Sequence, residues 1–377
     1  MKRDNFFRNP CARLLGSVFA ALSLIVFLGA APANLVEFRI DSNRDFKRVE
    51  KAMNASDAAA VLVTIAAGEY KLKDSFHINR SNVALKGEGQ VTLRLANGAQ
   101  RPVVAVGSQR DYPLDEERIH GIRISDLSID GNREKQRSEY DRKLPWIRNN
   151  GIDVRVVTDL VVERVTSNSN RSGGLVISWR CRDILVRDCV FEDNYFDGVA
   201  YYDSAKVFTV DCVMRNNLGA GISLDNAFVD SLFMGCELLG NHDVGVFARH
   251  SERLVFFQCR IEDSGNWAFF LAHDENERGV FDTDIASCSL ARNNGGVRIG
   301  SVTEQQSSRN RLLLARFEAN DASGRKDVST AGSTLRLVNE AWSSTGEAEL
   351  AVDDVTRDPV YDRVYQAISS FHELSGG

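Results

Sequence analysis

The chain has 377 residues, 43% of them hydrophobic, with a formal charge of −6 and seven cysteines. An acidic chain with no basic cluster argues against nucleic acid as a partner. The length is ample for a core, either one elongated domain or two compact ones, and after residue 33 no segment is apolar enough to span a bilayer.

Residues 1–33 read as a secretory signal. Lys2, Arg3, Arg8 and Arg13 precede an apolar run from Leu14 to Ala30, and Ala31-Pro32-Ala33 supplies the small residues of a cleavage point. At 17 residues the run is short for a membrane anchor. The expected product is a secreted or periplasmic protein with no membrane partner after cleavage. Removing four basic residues and one acidic one takes the formal charge to −9 and leaves six cysteines where disulfides can persist.

Residues 34–57 are expected to form an N-terminal capping segment, because Phe46, Val49 and Met53 share one face of a short helix after Asp41-Ser42. Residues 58–350 carry a repeat. Gly151, Gly174, Gly198, Gly221 and Gly245 are separated by 23, 24, 23 and 24 residues. Cys189, Cys212, Cys236 and Cys259 keep the same step, with Cys288 after them. Asn170, Asn194, Asn217 and Asn241 keep it too, and Asn293 and Asn320 resume it after Ser264. Between these marks apolar residues alternate, as in Leu175 and Ile177, Ile184 and Val186, Cys189 and Phe191, so each repeat holds two or three short strands and no helix. A leucine-rich repeat is the second choice, but the strand-like second half of the unit favours an all-β, single-stranded right-handed parallel β-helix with coils of roughly 22–24 residues.

In such a stack the cysteines form an inward column, a packing role supported by Leu127, Val165 and Ala315 at equivalent places. Parallel side-chain vectors suit a disulfide poorly, and a line of thiols is no tetrahedral zinc site, so free buried thiols are expected. Asn is expected to take the left-handed backbone of a turn and to stack its amides, and Gly to mark a sharp bend. Between Asn132 and Gly151 an insertion, "REKQRSEYDRKLPWIRNN", is too long for a solenoid turn. Its Tyr140 and Trp146 either wall a sugar-binding groove or pin a solvated loop through a buried Trp. Residues 351–377, with Val360, Val364 and Ile368 in a stripe after Pro359, read as a tail or second cap helix.

The opening coils carry "VTIAAGEYKL" and "INRSNVALKGEG", followed by "DLSIDGN" at Asp126–Asn132. In these segments and in the coils from Gly151 to Asn320 the chain resembles the pectin-lyase-like superfamily of right-handed parallel β-helix proteins. The resemblance implies a groove over the strand face that follows each Gly and a polysaccharide as partner. It leaves the activity open, since lyases, hydrolases, epimerases and non-enzymatic adhesins share the fold. The paired aspartates and Gly-His-Gly of polygalacturonases are missing. So is the Asp-Pro-His-Asp motif of alginate epimerases, where "FDGVAYYDS" (Phe196–Ser204) occupies a comparable place. No calcium cluster is evident, so no cofactor and no metal ligand are assigned, with calcium the one ion left open.

On that face the expected inward pairs are Ile152/Val154, Leu175/Ile177, Val199/Tyr201, Ile222/Leu224 and Val246/Ala248. The outward positions gather the candidate catalytic residues Asp203, Asp225, His250 and His273. Candidate substrate-binding residues are Arg155, Trp179, Tyr202, Asn226, Arg249 and Asp274, with Trp146 from the insertion. Asp203 and Asp225 fall on adjacent coils, backbones about 6 Å apart, while Asp203 and Asp274 are about 14 Å apart. His250 and His273 stack within reach of one proton. Arg249 is placed either to clamp a uronate carboxylate or to form an ordinary ion pair with Asp225 worth about 0–1 kcal/mol. The function expected is an exported monomeric enzyme acting on an acidic polysaccharide by elimination, hydrolysis or epimerisation. The alternatives are a non-catalytic glycan-binding or adhesion solenoid and, less well matched to so polar a face, a structural spacer.

Overall fold

Strict alternation of apolar and polar residues turns each coil into three short strands. In one coil these are Leu175–Ser178, Cys181–Arg187 and Val190–Glu192, and Leu175, Ile177, Ile184, Val186 and Phe191 all point into the core. Burying each such side chain contributes about 1.5–3 kcal/mol. The computed structural model describes residues 34–141, 143–273, 279–300 and 310–320, with pieces at 328–330, 335–338, 341–342, 360, 362–364 and 366. The expected signal at 1–33, Asp274 and Ile368 lie outside the described residues.

Every pairing between named strands is parallel and joins one coil to the next, as in Leu175↔Val199, Ile184↔Val207 and Phe191↔Met214. One face is a ten-stranded sheet, and the other two merge into a 22-stranded sheet through the long strands Ile119–Asp130 and Val157–Asn168. With strands on all three sides, the coils are those of a right-handed parallel β-helix and not of a leucine-rich repeat. The helix Asp45–Asn54 packs Phe46, Val49 and Met53 into the same core, and the Phe46 ring meets Tyr70 and Phe76 edge-on. At the other end of the chain, Val360 and Val364 cover outward-facing Leu185, Phe208, Leu232 and Val255. This stretch therefore lies along a flank of the solenoid.

The Cys column is buried and free. Each thiol donates to main-chain carbonyls, as Cys212 does to Val186 (3.6 Å) and Val210 (3.2 Å), and burial pushes the Cys181 thiol up to about 12. The Asn column forms the expected amide ladder. The backbone N–H and side-chain amide of Asn170 both donate to Asn194 Oδ1 at 3.1 and 2.8 Å, and Asn194 and Asn217 repeat the arrangement onto Asn217 and Asn241. One local expectation is corrected. The left-handed residue is the one before each Asn (Ser169, Asp193, Asn216, Gly240), so the Asn side chain is free to reach along the stack. The recurring Gly sits at a bend, as expected, and a second constraint also requires it. A Cβ on Gly198 would come within 2.9 Å of the Asn217 amide and 2.7 Å of the Gly221 carbonyl, so Gly is required by the close approach of the next coil.

Ser264 breaks the ladder, and its buried hydroxyl has no hydrogen-bond partner. Ser264→Asn is expected to gain about 1 kcal/mol by restoring a rung. Asn217→Ala is expected to lose about 3 kcal/mol, because it orphans the Asn194 N–H. Urea titrations of both variants check this; an Asn217→Ala midpoint equal to wild type would contradict it.

Candidate functional site

The ten-stranded face presents its outward residues as columns, because each coil repeats the register of the last. One column runs Asp153, Val176, Ala200, Ser223, Phe247, Phe270, Arg298. A second contains Arg155 opposite Ser178, and Tyr202 opposite Asp225. The turn closing each strand adds Val156, Trp179, Asp203, Asn226 and His250, all with left-handed φ between 44° and 63°. For bulky Val and Trp that backbone costs about 1–2 kcal/mol, held in place by main-chain bonds such as Arg180 N–H to Asp203 O (2.6 Å).

These columns line a groove of about 450 Å³. Of the sequence candidates, Trp179, Tyr202, Asp203, Asn226 and His250 line it from the sheet, with Arg155 below and Trp146 on the wall. Three are not brought there. Asp225 is buried and both its oxygens are engaged. Oδ2 accepts from Arg249 Nε (3.0 Å) and Nη2, and Oδ1 accepts from the Asn226 N–H (2.7 Å). That edge of Arg249 is thereby occupied by the lateral ion pair. His273 sits one coil beyond His250, but it is only 5% exposed and does not line the groove.

The structure adds residues that the sequence did not single out. The insertion does wall the groove: Trp146 is 38% exposed, and its indole N–H donates to the Gln109 carbonyl (2.9 Å). Arg148 follows it into the groove. Its guanidinium stands 4.8 Å from the Tyr140 ring and 5.3 Å from the Phe196 ring, and Nη2 donates to Tyr140 Oη (3.0 Å). A cation sandwiched in this way is oriented before any ligand arrives. Arg155 is committed internally, donating to the Arg110 carbonyl (2.7 Å) and lying 5.5 Å from the Trp179 ring, so it positions that Trp.

Burial tunes the acids of the face. Asp153, beside the Asn150 amide (2.8 Å), is raised by burial against the opposing pull of Arg155. Asp203 is raised, again by burial, with Arg180 opposing. Asp197, next to the groove, is lifted from 3.8 to about 6 by burial and by the nearby Asp243 carboxylate; the Ala220 N–H (2.8 Å), Arg148 and Ser223 pull the other way. Tyr202 is pushed up to about 12 by burial and by Asp197. Burial thus makes these carboxyl groups weaker acids than usual, Asp197 reaching about 6.

The sequence profile described as periplasmic copper-binding protein (NosD) matches residues 125–352, the larger part of the chain. The chain belongs to the NosD family. No curated protein sequence matches it. Among solved structures, ORF18 of Geobacillus virus E2 is similar at 16% identity and a TM-score of 0.63, over 91% of this chain and 66% of that one. This chain therefore spans about two thirds of that protein. The AlgE6 A-module of the Azotobacter vinelandii mannuronan C-5 epimerase is similar at 13% identity (TM-score 0.52, 83% of this chain, 98% of that one). So is PfbA, a surface protein and adhesin of Streptococcus pneumoniae, at 11% identity (TM-score 0.60, 80% and 97%). These likenesses are likenesses of fold.

The family description raises copper, and the described residues do not fit it. Among the described residues no three His, Cys, Asp or Glu side chains converge to hold an ion. The cysteines, a soft metal's natural ligands, are buried thiols bonded to carbonyls, and burial raises those of Cys181 and Cys212.

Because Asp197 keeps its proton longer when folded than when unfolded, its contribution to stability is full below about pH 4. It is lost as the pH rises to about 6. Asp197→Asn, which keeps an acceptor for the Ala220 N–H, is expected to flatten the fall in melting temperature across that window. Superimposable pH profiles of wild type and variant would contradict the assignment.

Proposed function

We propose that this protein is an exported β-helix that binds and acts on an acidic polysaccharide in the groove of its ten-stranded face. The observation that carries the reading is the groove itself. Trp146 and the oriented guanidinium of Arg148, from the insertion, line it together with Trp179, Asp203 and His250 of the turn column. Aromatic faces suit the C–H surfaces of sugar rings, and a fixed guanidinium suits a carboxylate. Arg148 takes the role that sequence reasoning gave to Arg249.

The chemistry proposed is proton transfer, which elimination, hydrolysis and epimerisation share. Asp203 and His250 are the groups for it. Asp203 is half-buried with a raised pKa, and His250 carries a buried Nδ1 with no hydrogen-bond partner among the described residues. The family description supports export to the periplasm. One fold relative is an epimerase and another an adhesin. A binding-only role has an observation of its own in its favour: Asp203 and His250 lie two coils apart, about 10 Å along the stack, so only side-chain reach brings both to one sugar.

The test incubates the mature protein with alginate, polygalacturonate, glycosaminoglycans and neutral glucans, following new reducing ends and unsaturated uronate absorbance together. Reducing ends with absorbance identify a lyase, and reducing ends alone a hydrolase; binding with neither signal leaves epimerisation or adhesion. Asp203→Asn and His250→Ala are expected to lower any turnover by about 100-fold or more with unchanged melting temperature. Asp225→Asn is expected to lower the melting temperature, since it breaks the pair with Arg249. Full turnover in both groove variants would contradict the proposed roles.

A further inference from the structure

The outward column that gives Asp153 and Val176 to the groove does not end with it. From Asp153 it runs through Val176, Ala200 and Ser223, a strip of small residues, and then reaches Phe247, Phe270 and Arg298 on the next three coils. Phe247 and Phe270 are half-buried, with ring centroids 5.8 Å apart, and they rest on buried Trp267. The Arg298 guanidinium lies 5.1 Å from the Phe270 ring and 6.0 Å from Trp267, and no carboxylate among the described residues pairs with it. Arg249, already tied to Asp225, stands 5.9 Å from the Phe247 ring. Two adjacent half-exposed phenyl rings beside a guanidinium with no carboxylate partner among the described residues are an unusual surface for a solenoid whose other outward Arg side chains mostly meet carboxylates, as Arg253, Arg292 and Arg311 do. The seven coils span about 29 Å at the strand spacing.

We propose that Phe247, Phe270 and Arg298 form a distal subsite for an anionic sugar of a polysaccharide that lies lengthwise along the solenoid, several residues from the sugar held by Arg148. The inference rests on the glycan reading of the groove and adds direction and length to it. The rings stack on the sugar face, Arg298 pairs with its carboxylate, and the Val176–Ala200–Ser223 strip leaves room for the chain between the two ends. Affinity therefore depends on chain length.

Calorimetric titration with trimers and octamers of galacturonate and of alginate tests this. Wild type is expected to bind one octamer series more tightly than its trimer. Phe247→Ala/Phe270→Ala is expected to weaken the octamer about tenfold and leave the trimer unchanged. Arg298→Gln is expected to weaken the octamer by an amount that shrinks at high salt. Should the double variant fail to fold, Arg298→Gln and Phe270→Leu decide the matter. Octamers bound no better than trimers, or variants that bind like wild type, overturn the distal subsite alone. A wild type that binds neither sugar at either length overturns the glycan reading and the subsite with it.

Discussion

Everything in this molecule depends on coils approaching one another to strand-pairing distance on all three sides at once. That approach satisfies the main chain of one coil with the main chain of the next, and it leaves no room for a Cβ where Gly198 faces Gly221. It also brings the Asn amides into line, so that one side chain satisfies a backbone N–H and an amide of its neighbour. The Cys–Asn–Gly recurrence is the sequence trace of this contact. Small thiols fill the inner corner, amides stitch the turn, and glycines permit the close packing beside it.

The same constraint makes the surface a set of columns. Once the inward residues are fixed, the outward ones are stacked whether or not they cooperate, and function has to be written as a choice of side chains along a column. On the ten-stranded face that choice is a carboxylate, then small residues, then rings and a guanidinium, bordered by a turn whose left-handed backbone is imposed even on Val156 and Trp179. Strain at bulky residues is tolerated there because the coils on either side over-determine the turn.

The fold was legible in the sequence because the repeat is periodic, and a period of two inside a period of 23–24 leaves few architectures. The outward face was legible for the same reason, and Trp179, Tyr202, Asp203, Asn226 and His250 do meet at one groove. What could not be read were contacts that break the period. Arg148 comes from the insertion, which has no register to place it. Asp225 and Arg249 are one coil apart in the stack, and sequence spacing cannot say whether two opposite charges serve a ligand or each other. Asp197 sits just before a recurring Gly, at a place the alternation treats as a turn, and its raised pKa arises from burial. The left-handed position was misassigned by one residue, and the Cβ clearance that Gly also serves could not be read, since φ values and clearances are three-dimensional facts.

The central claim is that one face of the solenoid, and no other, receives an acidic glycan lengthwise. Hydroxyl-radical footprinting with and without polygalacturonate and alginate addresses it most directly. The account predicts protection of Trp146, Trp179, Tyr202, Phe247 and Phe270 by at least one polymer, with Leu35 and the C-terminal flank unchanged. Protection confined to other faces, or absent with both polymers, would contradict it.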